Sequence, residues 1–244
     1  MAKTASSKTK TLSFVTEVLW VVSATDERVL LSRFEDLWQL YNACLGEAMR
    51  RCLLVKQSKL YQSARKIKSN KKERQKANAF ANAAYGYNEY SLHAFATIVR
   101  RSWNCEHIDS NTAQKLATRA FNTSQKVAFG IAKKVRFKGK NQLDSLEGKT
   151  NTSGIRWYEE CLMWGKLKLQ PYFQSNDPVI VHGLSSRIKY VRLLRQRLNN
   201  KTRYYAQLVG EGKPFRKPKN QIGSGVVGQG YCAIHNSDCP REWG

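Results

Sequence analysis

The stretch "KTLSFVTEVLWVVS", residues 10–23, sets Leu12, Phe14 and Val18 among Ser13, Thr16 and Glu17. Alternation in a segment rich in β-branched and aromatic residues predicts a half-buried strand over roughly 11–23. Asp26 follows as a helix cap. Behind it Leu30, Phe34, Leu37, Tyr41, Leu45 and Ala48 recur at helical spacing, so one face is expected to be buried to about Leu54. The next run, "KQSKLYQSARKIKSNKKERQKANAF", is basic and polar, broken chiefly by Tyr61 and Ile67. Helical period returns in "NEYSLHAFATIVRRSW", which places Leu92, Phe95, Val99 and Trp103 on one face. A third helical pattern starts after Asp109 and Ser110, with Leu116, Ala120 and Val127 inward. Residues 25–130 therefore read as a helical region.

After Gly130 the period shortens. "KVRFKGKNQLDSLEGK", "GIRWYEECLMWGKLKLQPYF", "PVIVHG" and "RIKYVRLLRQRLNNKTRYYAQLVG" are short runs of β-formers broken by Gly, Pro, Asn and Asp. They predict hairpins and meanders. Glu159 and Glu160 fall in a hairpin turn. "NNKTRYYAQLVG" enters a strand with Tyr204 and Ala206 on one side and Tyr205 and Gln207 on the other. Near the end, the Gly-flanked pair Val226-Val227 begins a further strand. A lone strand, then helices, then several strands predicts an α+β fold: one β-barrel interrupted by a helical insertion.

Charge sharpens this picture. Against 18 Asp+Glu stand 42 Lys+Arg, a net +24 in 244 residues. Such a surplus repels itself and favours a polyanionic partner. Nucleic acid fits best, because each phosphate neutralised by Lys or Arg releases a condensed counterion. An anionic membrane would need an amphipathic or lipidated anchor, and no such segment is visible. Nor does any run approach the ~20 apolar residues of a membrane span. "LSFVTEVLWVV" carries Glu17 and lacks a small-residue cleavage site, so it does not read as a signal peptide. Six cysteines (44, 52, 105, 161, 232 and 239) form no CxxC pair and read as reduced thiols of a cytoplasmic protein.

Catalytic groups are sparse. A metal-dependent nuclease needs several carboxylates converging on Mg²⁺, and the acidic residues here are scattered. The four histidines stand apart, and His93 reads as a satisfied helix residue. Cys232, His235 and Cys239 offer three soft ligands where a structural zinc site takes four, so no metal site is assigned. "GSGVVGQG" lacks the Lys-Ser/Thr of a phosphate loop.

Cations interleaved with aromatics remain. "VRFKGK" gathers Arg136, Lys138 and Lys140 around Phe137. "RIKYVRLLRQRLNNKTRYY" carries Arg187, Lys189, Arg192, Arg195, Arg197, Lys201 and Arg203 beside Tyr190 and Tyr204. "GKPFRKPKN" sets Lys213, Arg216, Lys217 and Lys219 around Phe215. Ammonium and guanidinium groups meet phosphates while rings stack on unpaired bases. With the basic run at 56–76, which contributes Lys66, Lys68, Lys71, Lys72 and Arg74, these segments predict a nucleic-acid-binding protein. Phe137 and Phe215 are the stacking candidates.

The succession "FEDLWQLYNACL", "IDSNTAQKLATRAFNTSQKVAFG", "VRFKGKNQLDSLEG…GIRWYEECLMWGKLKLQ", "RYYAQLVGEGKPF" and "GSGVVG" resembles the front half of the TnpB-type proteins. These are the OrfB-like RNA-guided nucleases of insertion sequences, with the compact type V CRISPR effectors descended from them. The resemblance spans roughly residues 10–228. It implies an oligonucleotide-binding-like "wedge" barrel formed by 10–24 and 131–222, and a recognition lobe over 25–130. Residues 223–244 would be a truncated start of a RuvC-like domain or an irregular tail. In the family a VVG-Asp-Gly-like strand opens the RuvC nuclease and supplies its first metal ligand. Here "GVVG" runs into Gln229, Gly230 and Tyr231, and the remaining nuclease strands would lie beyond Gly244. The expectation is a frameshifted or decayed nuclease start, with no catalytic residues or cofactor in this chain and Mg²⁺ only if a RuvC-bearing partner is present.

The resemblance implies that the protein grips a structured guide RNA and that base pairing, not the protein, reads the double-stranded DNA target. Lys66, Lys68, Lys71, Lys72 and Arg74 would contact a backbone from the recognition lobe. Arg192, Arg195, Arg197, Lys201 and Arg203, with Lys213–Lys219, would hold the RNA scaffold on the wedge. Such a nuclease-deficient protein would act by occupying its target or recruiting a partner, in the cytoplasm and on the nucleoid when target-bound. One alternative makes it the binding half of a split endonuclease whose RuvC domain is a separate chain. Another makes it a non-specific basic relic of a transposon protein. A second copy on one RNA is a further expected partner.

Overall fold

The computed structural model describes residues 11–216, apart from 104, 174, 175 and 200. Its first strand, β1 (Ser13–Val21), buries Phe14, Thr16, Val18 and Trp20 on one face. Thr16 therefore belongs to the inward set rather than the polar one. Helix α1 (Ala24–Gln57) starts earlier than Asp26 because Ser23 caps it. The Ser23 hydroxyl accepts from the Asp26 N–H at 3.1 Å and donates to the Asp26 carboxylate at 2.7 Å. Asp26 thus sits in the first turn, where a carboxylate favours the helix N-terminus. Along α1 the expected face is buried, from Leu30 through Phe34, Leu37, Tyr41 and Leu45 to Ala48.

Ser58 ends α1 and caps α2 (Lys59–Lys66), accepting from the Tyr61 N–H. Asn70 then caps α3 (Lys71–Ala84). Helix α4 (Glu89–Ser102) buries Leu92 and Ala96, with Phe95 and Val99 packed beside them. Trp103 departs from the expected face: as the C-cap of α4 it turns outward and is exposed. Asp109 caps α5 (Ser110–Ala128), which buries Leu116 and Ala120 as expected.

The strands follow: β2 (Ser145–Glu147), β3 (Ile155–Tyr158), β4 (Cys161–Trp164) and β5 (Leu167–Tyr172). Between β3 and β4, Glu159 and Glu160 have φ of 47° and 57°, the left-handed pair of a tight hairpin turn. "PVIVHG" is not a strand. It forms α6 (Pro178–Ser185), with Asp177 capping the Val179 N–H and Pro178 in the first turn. An Asp-Pro start supplies both a cap and a preset φ, and these outweigh the β-preference of Val-Ile-Val. The long hairpin of β6 (Ile188–Leu198) and β7 (Lys201–Glu211) completes the sheet, with Tyr204 and Ala206 inward.

All seven strands form one antiparallel sheet in the order β2-β6-β7-β1-β5-β4-β3. β1 lies inside it, paired to β7 and β5, so α1–α5 are an insertion between one interior strand and the rest. The sheet curls until its two outer strands approach. Just after β2, the Gly148 N–H donates to the Val191 carbonyl of β6, while its Cα lies so close to the Ile155 carbonyl of β3 that a Cβ would sit at 2.6 Å. Only glycine fits there. The fold is mixed α+β: a curled antiparallel sheet with a helical insertion packed onto it.

Two buried arginines fasten the parts together. Arg33 of α1 donates to the Trp164 carbonyl of β4 at 2.7 Å and lies 4.6 Å from that indole. Arg195 of β6 stacks on Phe34 of α1 at 4.8 Å.

Candidate nucleic-acid interface

After Lys56 and Gln57 close α1, the basic run folds as the hairpin α2–α3. Over residues 56–76 it carries nine cations against one carboxylate, Glu73. Each of its two helices buries a single residue, Ala64 and Ala81. Lys66, Lys68, Lys71, Lys72 and Arg74 are all exposed, and none is in an ion pair among the described residues. Helices polar on nearly every side contribute little core.

The "VRFKGK" segment crosses α1 as a strap. The Asn42 side chain pairs with the Lys138 backbone, donating to its carbonyl at 2.8 Å and accepting from its N–H at 2.9 Å. The Trp38 indole N–H donates to the same carbonyl. With its backbone held, the strap turns Arg136 and the Phe137 ring outward, the ring over Gly46 and 54% exposed. Lys138 is half-buried, and Lys140 pairs loosely with Glu35 at 3.3 Å.

On the outer face of the sheet a polar ladder crosses four strands. Glu147 of β2 binds Arg192 of β6 at 3.2 Å, Arg192 donates to Gln207 of β7 at 3.0 Å, and Gln207 donates to Glu17 of β1 at 3.0 Å. Lys115 of α5 extends it, 2.7 Å from Glu147. Burial pushes the Glu147 carboxyl up, but bonds to Lys115 and Arg192 outweigh it and hold the pKa below the ordinary 4.5. Arg192 is thus partly spent on this ladder rather than free.

Where the ladder meets α5, a cleft of about 710 Å³ opens between helix and sheet. Lys115, Arg119, Asn122 and Lys126 line its helical wall, and Leu146, Arg192, Leu194 and Gln207 its sheet wall. Arg119 donates to the Ser145 carbonyl and hydroxyl, both at 3.1 Å. Thr118, also in the cleft, donates to Glu89 at 2.6 Å and lies 2.8 Å from His93 Nε2. His93 is therefore satisfied within the helices, and its burial there lowers its pKa.

The remaining expected positions divide. Arg197, Lys201 and Arg203 are exposed around the β6–β7 turn. Arg195 is a correction: it is buried, bonded to Asp144 at 3.0 Å and to the Asn141 and Leu143 carbonyls, and faces the core instead of a phosphate. Inward alternation along β6 puts it there, with Val191 and Leu193. Lys213 and Arg216 are exposed, whereas Phe215 is half-buried against His182, ring centroids 5.9 Å apart. Lys217, Lys219, Val226-Val227 and the Cys232, His235 and Cys239 group lie outside the described residues.

Residue reasoning passed over the α5 cations. Their signal was present in "AQKLATRAFNTSQK", where Lys115, Arg119 and Lys126, with Asn122 among them, step by four, three and four along one face.

Cys44, Cys52, Cys105 and Cys161 are free and buried. Burial raises the Cys44 thiol to about 12 and also raises that of Cys105, so both are poor nucleophiles. Among the described residues, no group of three or more His, Cys, Asp and Glu is placed to hold a metal ion. No described helix is long and apolar enough to cross a membrane. No protein-family model and no curated protein matches the chain.

Proposed function

We propose that the protein is a guide-RNA-binding protein of the TnpB type, holding a structured RNA whose base pairing selects a double-stranded DNA target. In this reading the curled sheet is the wedge, an oligonucleotide-binding-like barrel, and α1–α5 are the recognition lobe. The protein acts by occupying its target or by recruiting a partner there. The observation that carries the reading is the α2–α3 hairpin. It presents eight cations and one carboxylate over residues 59–76, seven of the cations on two helices that bury one alanine each, a device for meeting a polyanion rather than for building a core. The strand–insertion–strands order and the pinned, aromatic-bearing strap support the same reading. Expression with the flanking genomic RNA, followed by purification at moderate salt and sequencing of the bound RNA, tests it. One enriched, structured species is expected; a bound pool that mirrors total cellular RNA would defeat it.

A further inference from the structure

We infer that the cleft between α5 and the outer sheet face seats a single strand of nucleic acid, its backbone along Arg119 and Lys126 and its bases toward Leu194 and Gln207. This deepens the reading of the protein as nucleic-acid-binding and rests on it.

The cleft's charge is asymmetric in a useful way. Glu147 is neutralised internally by Lys115 and Arg192. Arg119 and Lys126 are in no ion pair among the described residues, and both are exposed. Seven residues of helix separate them, about 10 Å of rise, so they can hold separate phosphates of one strand. Asn122 lies between them on the same face, with an amide that both donates and accepts. The opposite wall is of another character: half-buried Leu194 offers apolar surface, and Gln207, bonded to Arg192 and Glu17, keeps a second N–H and a carbonyl lone pair. A cationic track facing apolar and amide groups suits an unpaired strand, whose bases leave the stack and turn sideways. Size argues the same way. A cleft of about 710 Å³ is on the scale of pockets that enclose a small ligand, roughly 300–1,000 Å³. It holds a nucleotide or two, whereas a duplex would lie across a surface.

The test uses the full chain and a short oligouridine carrying one 4-thiouridine, photo-crosslinked and mapped by mass spectrometry, beside anisotropy titrations. Crosslinks are expected on residues 110–128 and 188–198, with the single strand bound better than a duplex of equal length. Arg119→Glu with Lys126→Glu should weaken oligouridine binding by roughly tenfold or more and abolish those crosslinks. Arg119→Lys with Lys126→Arg should retain both, which separates lost charge from lost folding. Lys166→Glu with Lys168→Glu, exposed residues outside the cleft, should leave the cleft crosslinks in place. Crosslinks confined to 59–76, equal competition by duplex, or displacement by inorganic phosphate alone would overturn the inference. Because oligouridine is not a guide RNA, success here with no structured RNA in the purification would leave the cleft standing while the guide-RNA reading fell.

Discussion

A charged residue in a basic protein can face the ligand or the core, and Arg195 shows how the two are told apart. Its side chain is 8% exposed, and its guanidinium satisfies the carbonyls of Asn141 and Leu143, the Asp144 carboxylate and the Phe34 ring face. Removing it orphans two carbonyls and a stacking contact at the seam between α1 and the sheet. Arg195→Met should therefore destabilise the fold by about 2–3 kcal/mol, read from denaturant unfolding. RNA affinity, measured where the variant is still folded, should stay within about twofold of the parent, since a side chain that reaches no phosphate removes no counterion release. A tenfold affinity loss with unchanged stability would return Arg195 to the interface. Arg197, two residues on, is exposed, and the same substitution there should give the opposite split.

At the scale of elements, α6 shows where local signals outrank composition. "PVIVHG" has the β-branched content of a strand, yet the Asp177 cap and Pro178 start a helix, and Gly183 lets that helix lie on β1. A Cβ at Gly183 would sit 2.1 Å from Thr16 Oγ1 and 2.7 Å from Thr16 Cβ. Gly183→Ala is expected to cost about 1–3 kcal/mol by overpacking, seen as a lowered melting midpoint; an unchanged midpoint would mean that α6 is not held there. The helical insertion was legible because α1 and α5 repeat apolar residues at 3.6 over many turns. The β6–β7 hairpin was legible because alternation and the Asn pair agree. What could not be read was the far side of each element. Glu147, Gln207 and Glu17 are distant in sequence and meet only because β2, β6, β7 and β1 are neighbours in register. Glu147 and Gln207 line the cleft, which is thus a product of that pairing, whereas the inward turn of Arg195 follows from the alternation it shares with Val191 and Leu193 along β6.

For the whole molecule, one quantity ought to act with opposite signs on folding and on binding. A net +24 opposes the compact state, most sharply on the α2–α3 hairpin, where one carboxylate faces eight cations. Added salt screens that repulsion over about 8–10 Å at near-physiological ionic strength, so the RNA-free protein should become more stable as salt rises. Binding responds the other way, because concentrated salt removes the gain from counterion release. The logarithm of affinity should fall linearly with the logarithm of salt, by roughly 0.7–0.9 per phosphate contact. Lys71→Ser, Lys72→Ser and Arg74→Ser together should make both slopes shallower: less stability gained from salt, and up to about three contacts' worth of binding slope lost. Melting curves and anisotropy titrations across one salt series read the two effects on one preparation. If the triple variant changes the stability slope alone, the hairpin faces solvent and the phosphates are held elsewhere, at the strap and the α5 cleft. If both slopes move together, the repulsion that strains the free protein is the same charge that holds the nucleic acid.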